Sequence, residues 1–208
     1  MMNRYLANQG YCVFDIQYGL TNMTSNLGSI YPPPQNVVGN FTIDDMVRHI
    51  GNFTTFLETH YLEYGANLNS VFVSGGSAGG QLTCATALSI ASGNYTNIFS
   101  DQMTVKGLIP FYPGNNVSYD FATASRQEWV NPAILVNSSS PPCFIYQGEK
   151  DGLIEQSRLL KETYISQGRT DCALLTFPFG GHASDIYFNG YYNQVFLYFM
   201  ERFLYLYH

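Results

Sequence analysis

At 208 residues and 46% apolar, the chain has the length of one globular domain with a sizeable core. A formal net charge of −6 with only 9 Lys+Arg argues against nucleic acid as a partner. No stretch reaches the about 18 consecutive apolar residues of a membrane span, and no basic region followed by an apolar block reads as a signal peptide.

In chain order, residues 3–9 read as a short helix ended by Gly10. Residues 11–18 (Y-C-V-F-D-I-Q-Y) are rich in strand formers and read as a strand, offering an open edge for pairing. Residues 21–40 form a loop containing Pro32, Pro33 and Pro34. Thr42 then caps a helix whose apolar positions Ile43, Met46, Val47, Ile50, Phe53, Phe56, Leu57 and Tyr61 follow the helical repeat.

Strands are expected at 71–73, 106–112, 143–147 and 172–177, and helices at 81–89, 154–167 and 189–207. Residues 113–142, with Asn, Ser and Pro throughout, read as irregular. Strands alternating with helices call for a mostly parallel, helix-covered sheet: an α/β three-layer sandwich without a large cap.

Four cysteines (Cys12, Cys84, Cys143, Cys172) show no C-x-x-C spacing, which argues against zinc and dithiol redox chemistry. Buried free thiols are the plain reading; a Cys143–Cys172 disulfide is the alternative, since these residues begin successive strands. Six N-x-[ST] sequons, at Asn22, Asn40, Asn52, Asn94, Asn116 and Asn137, lean towards an exported protein.

The residues that carry chemistry begin with Gly75-Gly76-Ser77-Ala78-Gly79-Gly80, entered from Val71-Phe72-Val73. This G-x-S-x-G between a strand and a helix is the pattern of a nucleophile elbow, where a serine sits in a turn too tight for neighbouring side chains. A nucleophilic serine needs a base and an orienting acid, each near a strand end. Asp151 follows the third strand in Gly148-Glu149-Lys150-Asp151, and His182 follows the fourth in Gly180-Gly181-His182. The order Ser77, Asp151, His182 puts all three past the C-terminal ends of strands, where open parallel sheets build their sites.

Competitors are set aside by position. His49 and His60 fall mid-helix, as packing or surface residues, and His208 is terminal and read as disordered. Glu149 stands nearer the strand end than Asp151, and Asp185 follows His182 too closely to orient its ring from behind.

With these residues placed, the chain resembles the α/β-hydrolases, in particular the hormone-sensitive-lipase-like and xylan-type esterases. The matching segments are Gly75 to Gly80, Tyr18-Gly19-Leu20, the acid loop from Gln147 to Ile154, and Gly180-Gly181-His182. The resemblance implies a single catalytic domain over residues 1–208. In it, Ser77 is nucleophile, His182 base then acid, Asp151 the orienting carboxylate, and the Ala78 N–H an oxyanion donor. Two departures stand out: Gly19 replaces the arginine of those families, and no H-G-G-G loop is present to supply further oxyanion donors, because the chain starts too late.

The implied activity is carboxylesterase action on short acyl, acetyl or phenolic esters through an acyl-enzyme, with no metal or cofactor. The short 113–142 connection leaves an open site, with Gly76, Phe121 and Trp129 as candidates for contact with substrate, although Trp129 reads equally as core. Two alternatives remain: an amide- or peptide-cleaving relative of the arylformamidase or prolyl-oligopeptidase kind, or a non-catalytic interaction domain. A homo-oligomer contact through the sheet edge or the aromatic C-terminal helix is a further reading of the tyrosine- and phenylalanine-rich 189–207 segment.

Overall fold

The computed structural model describes residues 1–20, 38–115 and 129–208. Phe121, the Pro32–34 run and the sequon asparagines Asn22 and Asn116 lie outside the described residues. Among the described residues, four parallel strands form one sheet in the order β1 (Val71–Gly76), β2 (Val105–Phe111), β3 (Cys143–Gly148), β4 (Cys172–Phe177). Helices α1 (Met2–Asn8), α2 (Ile43–Tyr64), α3 (Ala78–Ala91), α4 (Pro132–Leu135), α5 (Ile154–Ser166) and α6 (Tyr191–Tyr207) cover both faces.

The two-residue repeat of the strands divides the core. Leu108, Cys143, Ile145 and Cys172 point to one face, where they pack with Cys84, Ala87 and Leu88 of α3 and Leu160 and Tyr164 of α5. Ile109, Phe111, Phe144, Tyr146 and Phe177 point to the other and meet Phe196, Met200 and Phe203 of α6, with α1 packed alongside. Each fully buried side chain of this size contributes about 1.5–3 kcal/mol. These two layers fix the sheet between helices. The small residues of α3 let it lie in the middle of the molecule, with Gly80 through Ser89 all buried.

Helix α2 forms an outer layer over α3. Its start is written locally: the Thr42 hydroxyl accepts from the Asp45 N–H at 3.2 Å, and the Asp45 carboxylate accepts from the Thr42 N–H at 2.9 Å. Its end is equally local, at Gly65 in the left-handed region.

Two expectations need correcting. Residues 11–18 do not form a strand; among the described residues only β2 ladders to β1. The segment packs against α2 instead, with Phe14 against Phe53 and Tyr64 at ring separations of 5.3 and 5.5 Å. At its end the Gly19 N–H donates to His49 Nδ1 at 3.1 Å. Strand propensity measures fit to a pleated surface with a partner edge, and a helix offers none. Among the described residues, no further strand pairs with β1 on the side away from β2. In the supposedly irregular 113–142 stretch, Asn131 caps the short α4, accepting from the Ala133 N–H at 3.1 Å, with Pro132 at the first helical position.

Cys143 and Cys172 are partners across β3 and β4, yet all four cysteines are free. Burial pushes the Cys84 and Cys143 thiols well above the usual range, which keeps them protonated. Among the described residues, no helix is long and apolar enough to cross a membrane.

Candidate active site

Parallel register brings the ends of all four strands to one rim. Gly76 pairs with Phe111, Phe111 with Tyr146, and Gly148 with Phe177. The residues just beyond them, on four different segments, therefore become neighbours.

Ser77 stands between β1 and α3 at φ 56°, ψ −116°, a backbone region that a side-chain-bearing residue occupies only under strain. Its N–H still continues the ladder, donating to the Phe111 carbonyl at 3.0 Å. A Cβ on Gly75 would fall 2.6 Å from the Gly79 carbonyl oxygen, so the turn closes only around a glycine. The elbow thereby lifts the Ser77 hydroxyl off the sheet and sets it at the start of α3. The first N–H groups of that helix, beginning with Ala78, have no acceptor within it.

The second and third loops meet the first. His182 Nε2 lies 3.0 Å from Ser77 Oγ, and His182 Nδ1 lies 2.9 Å from Asp151 Oδ2. The other Asp151 oxygen accepts from the Leu153 N–H at 2.9 Å, so both carboxyl oxygens are held. A carboxylate can only accept, which assigns the imidazole proton to Nδ1 and leaves Nε2 free to accept from the serine. The Asp151 side chain is 2% exposed and that of His182 45%. The dyad thus has a dry end and a wet end.

The acid and base loops are also tied through their backbones. Lys150 N–H donates to the Gly180 carbonyl at 2.8 Å, and Glu149 N–H to the Phe177 carbonyl at 3.0 Å. A Cβ on Gly148 would come 2.3 Å from that same Gly180 oxygen, so the base loop crosses the end of β3 only because residue 148 has no side chain.

The remaining candidates fall elsewhere. Glu149 turns outward and accepts from the Thr176 hydroxyl at 3.2 Å. Asp185 accepts from the Tyr112 hydroxyl at 2.6 Å. His60 stacks on Phe56 at 4.1 Å, and His49 packs on Phe41 at 4.8 Å. His208, expected to be disordered, is held at the end of α6 with Nδ1 2.7 Å from the Tyr205 carbonyl. Trp129 takes the core role: it packs against Tyr95 at 4.7 Å, and its carbonyl accepts from Ser89, at the far end of α3 from Ser77. Gly76 lies beneath Tyr112, where a Cβ would come 2.8 Å from the phenol oxygen. Beside the base loop is a cleft of ≈ 300 Å³ lined in part by Phe179, Gly181, Ser184, Tyr187 and Tyr191.

Tyr112 is the neighbour that sequence reading missed. Its ring meets the His182 ring edge to face at 4.6 Å. The one signal for it was its place immediately past β2, at the same rim as the other three. Among the described residues no cluster of His, Cys, Asp or Glu could hold a metal ion.

Sheet, elbow and loop order together give the chain an α/β-hydrolase fold. Residues 42–136 match a protein family described as alpha/beta hydrolase fold. A probable carboxylic ester hydrolase of Mycobacterium tuberculosis, LipM, is 24% identical over 173 residues, covering 70% of this chain and 39% of its own. An esterase from Thermogutta terrifontis superposes with a TM-score of 0.61 at 22% identity, over 79% of this chain and 64% of that one. A Pyrobaculum calidifontis esterase gives 0.64 at 15% identity, over 79% and 61%. The chain thus spans 39% of the mycobacterial relative and under two-thirds of either esterase.

Proposed function

We propose that this protein is a serine carboxylesterase acting on short acyl esters, with Ser77 as nucleophile, His182 as base and Asp151 as orienting carboxylate. The observation that carries the reading is the unbroken run of contacts from Ser77 Oγ through both nitrogens of His182 to Asp151. The ester-hydrolase relatives point the same way.

In the first step His182 Nε2 takes the hydroxyl proton as Ser77 Oγ bonds to the ester carbonyl carbon. Asp151 stabilises the imidazolium, and the Ala78 N–H, at the positive end of α3, faces the developing oxyanion. Collapse breaks the bond to the alcohol, which leaves with the proton from Nε2. Water, deprotonated by the same nitrogen, then attacks the acyl carbon; the bond to Ser77 Oγ breaks, Nε2 returns the proton to that oxygen, and the acid leaves. The exposed imidazole and the shallow neighbouring cleft favour short acyl groups over long chains.

The test is hydrolysis of p-nitrophenyl butyrate by the purified chain. Ser77→Ala should lower kcat by about 10⁴-fold or more. Equal turnover by wild type and Ser77→Ala would end this reading.

A further inference from the structure

We propose that Tyr112 and Asp185 form a strap that positions the His182 ring for attack by Ser77; this rests on the esterase reading above. His182 needs such a device. Asp151 holds it at one nitrogen only, two glycines precede it, and Ala183 after it sits at φ 57°. Ring and loop together therefore have more freedom than the serine they must meet.

Tyr112 removes that freedom from the buried side. It emerges from the end of β2 at φ 37°, a left-handed conformation uncommon for an aromatic residue, and its N–H donates to the Tyr146 carbonyl at 2.8 Å. The residue is 6% exposed. Its ring flanks the imidazole, while its hydroxyl passes over Gly76 and donates to Asp185 Oδ1 at 2.6 Å. Burial, then the Asp185 carboxylate, drive the phenol far above its ordinary range, so it stays a neutral donor at any working pH.

Asp185 is three residues past His182, on the turn Ser184–Ile186. That turn is anchored from two sides. Asn193, 1% exposed on α6, donates to the carbonyls of Asp185 and Tyr187. Ser184 Oγ lies 2.9 Å from the Tyr146 hydroxyl. The Tyr112–Asp185 bond therefore joins the end of β2 to the base loop immediately beside the ring that must be aimed. It also explains Gly76, since any side chain there would collide with the phenol.

Tyr112→Phe cuts the bond and keeps the ring wall; Asp185→Asn weakens it from the loop side. Each should lower kcat by about 10-fold, since small misplacements of a reacting group cost one to two orders of magnitude, with KM unchanged. The double variant should lose no more than either single one, because both cut the same contact. A readout independent of turnover is the downfield proton NMR signal of His182 Nδ1–H, expected to be sharp in wild type and broadened in both variants. Wild-type kcat and an unchanged signal in either folded variant would overturn the strap, as would additive losses in the double. If Ser77→Ala proved as active as wild type, the esterase reading would fall while the signal still reported on the strap. Should Tyr112→Phe not fold, Asp185→Asn reads the same bond.

Discussion

Asp151 and His182, the proposed acid and base, lie on neighbouring loops of one rim and are built in opposite ways. Asp151 is buried, both of its oxygens are bonded, and its loop leaves β3 directly. His182 is nearly half exposed, follows two glycines, and sits between Phe179 at φ 65° and Ala183 at φ 57°. Each of those conformations costs about 1 kcal/mol or more for a residue with a side chain. The acid is placed by the fold itself. The imidazole is placed by what it touches, and it keeps the solvent access that its proposed role as proton carrier calls for.

Substitutions can break this contrast at either end. The largest effect is expected from His182→Ala, which should lower kcat for p-nitrophenyl butyrate by about 10⁴–10⁶-fold while leaving the unfolding midpoint near that of wild type. Asp151→Asn should come next, at about 10⁴-fold, because an amide can present its own N–H to Nδ1 and favour the wrong tautomer. Its remaining carbonyl oxygen can still accept from the Leu153 N–H, so the thermal midpoint should stay near that of wild type. Gly148→Ala sharpens the comparison from between the loops. Its methyl meets the Gly180 carbonyl, pushes the base loop and spares the acid, and should cost about 100-fold in kcat. Smallest is Thr42→Ala, which removes the α2 cap and should cost about 1 kcal/mol in denaturant melts with kcat unaltered.

What could be read from sequence follows the same division between local and distant causes. The α2 start was legible because Thr42 and Asp45 are three residues apart and cap each other. The four strands were legible as short apolar runs bounded by breakers. Ser77, Asp151 and His182 could be nominated because chain order and strand ends confine them to one rim, and the structure brings all three into contact. The 11–18 segment misled because its composition suits a strand, whereas its neighbour is a helix. Trp129 was ambiguous until Tyr95, thirty-four positions away, was seen to pack on it. Tyr112 was hidden among 17 tyrosines, and its hydroxyl finds Asp185 only after the sheet has formed.

The thiols offer a practical consequence. Cys12 is accessible, while Cys84, Cys143 and Cys172 are buried in the layer that α3 and α5 form with the sheet, and burial pushes the Cys84 and Cys143 thiols up. A maleimide should therefore tag one position at once in the native protein and the other three only as the interior opens. The chain thus carries its own clock for breathing motions, read by mass spectrometry without adding a label site.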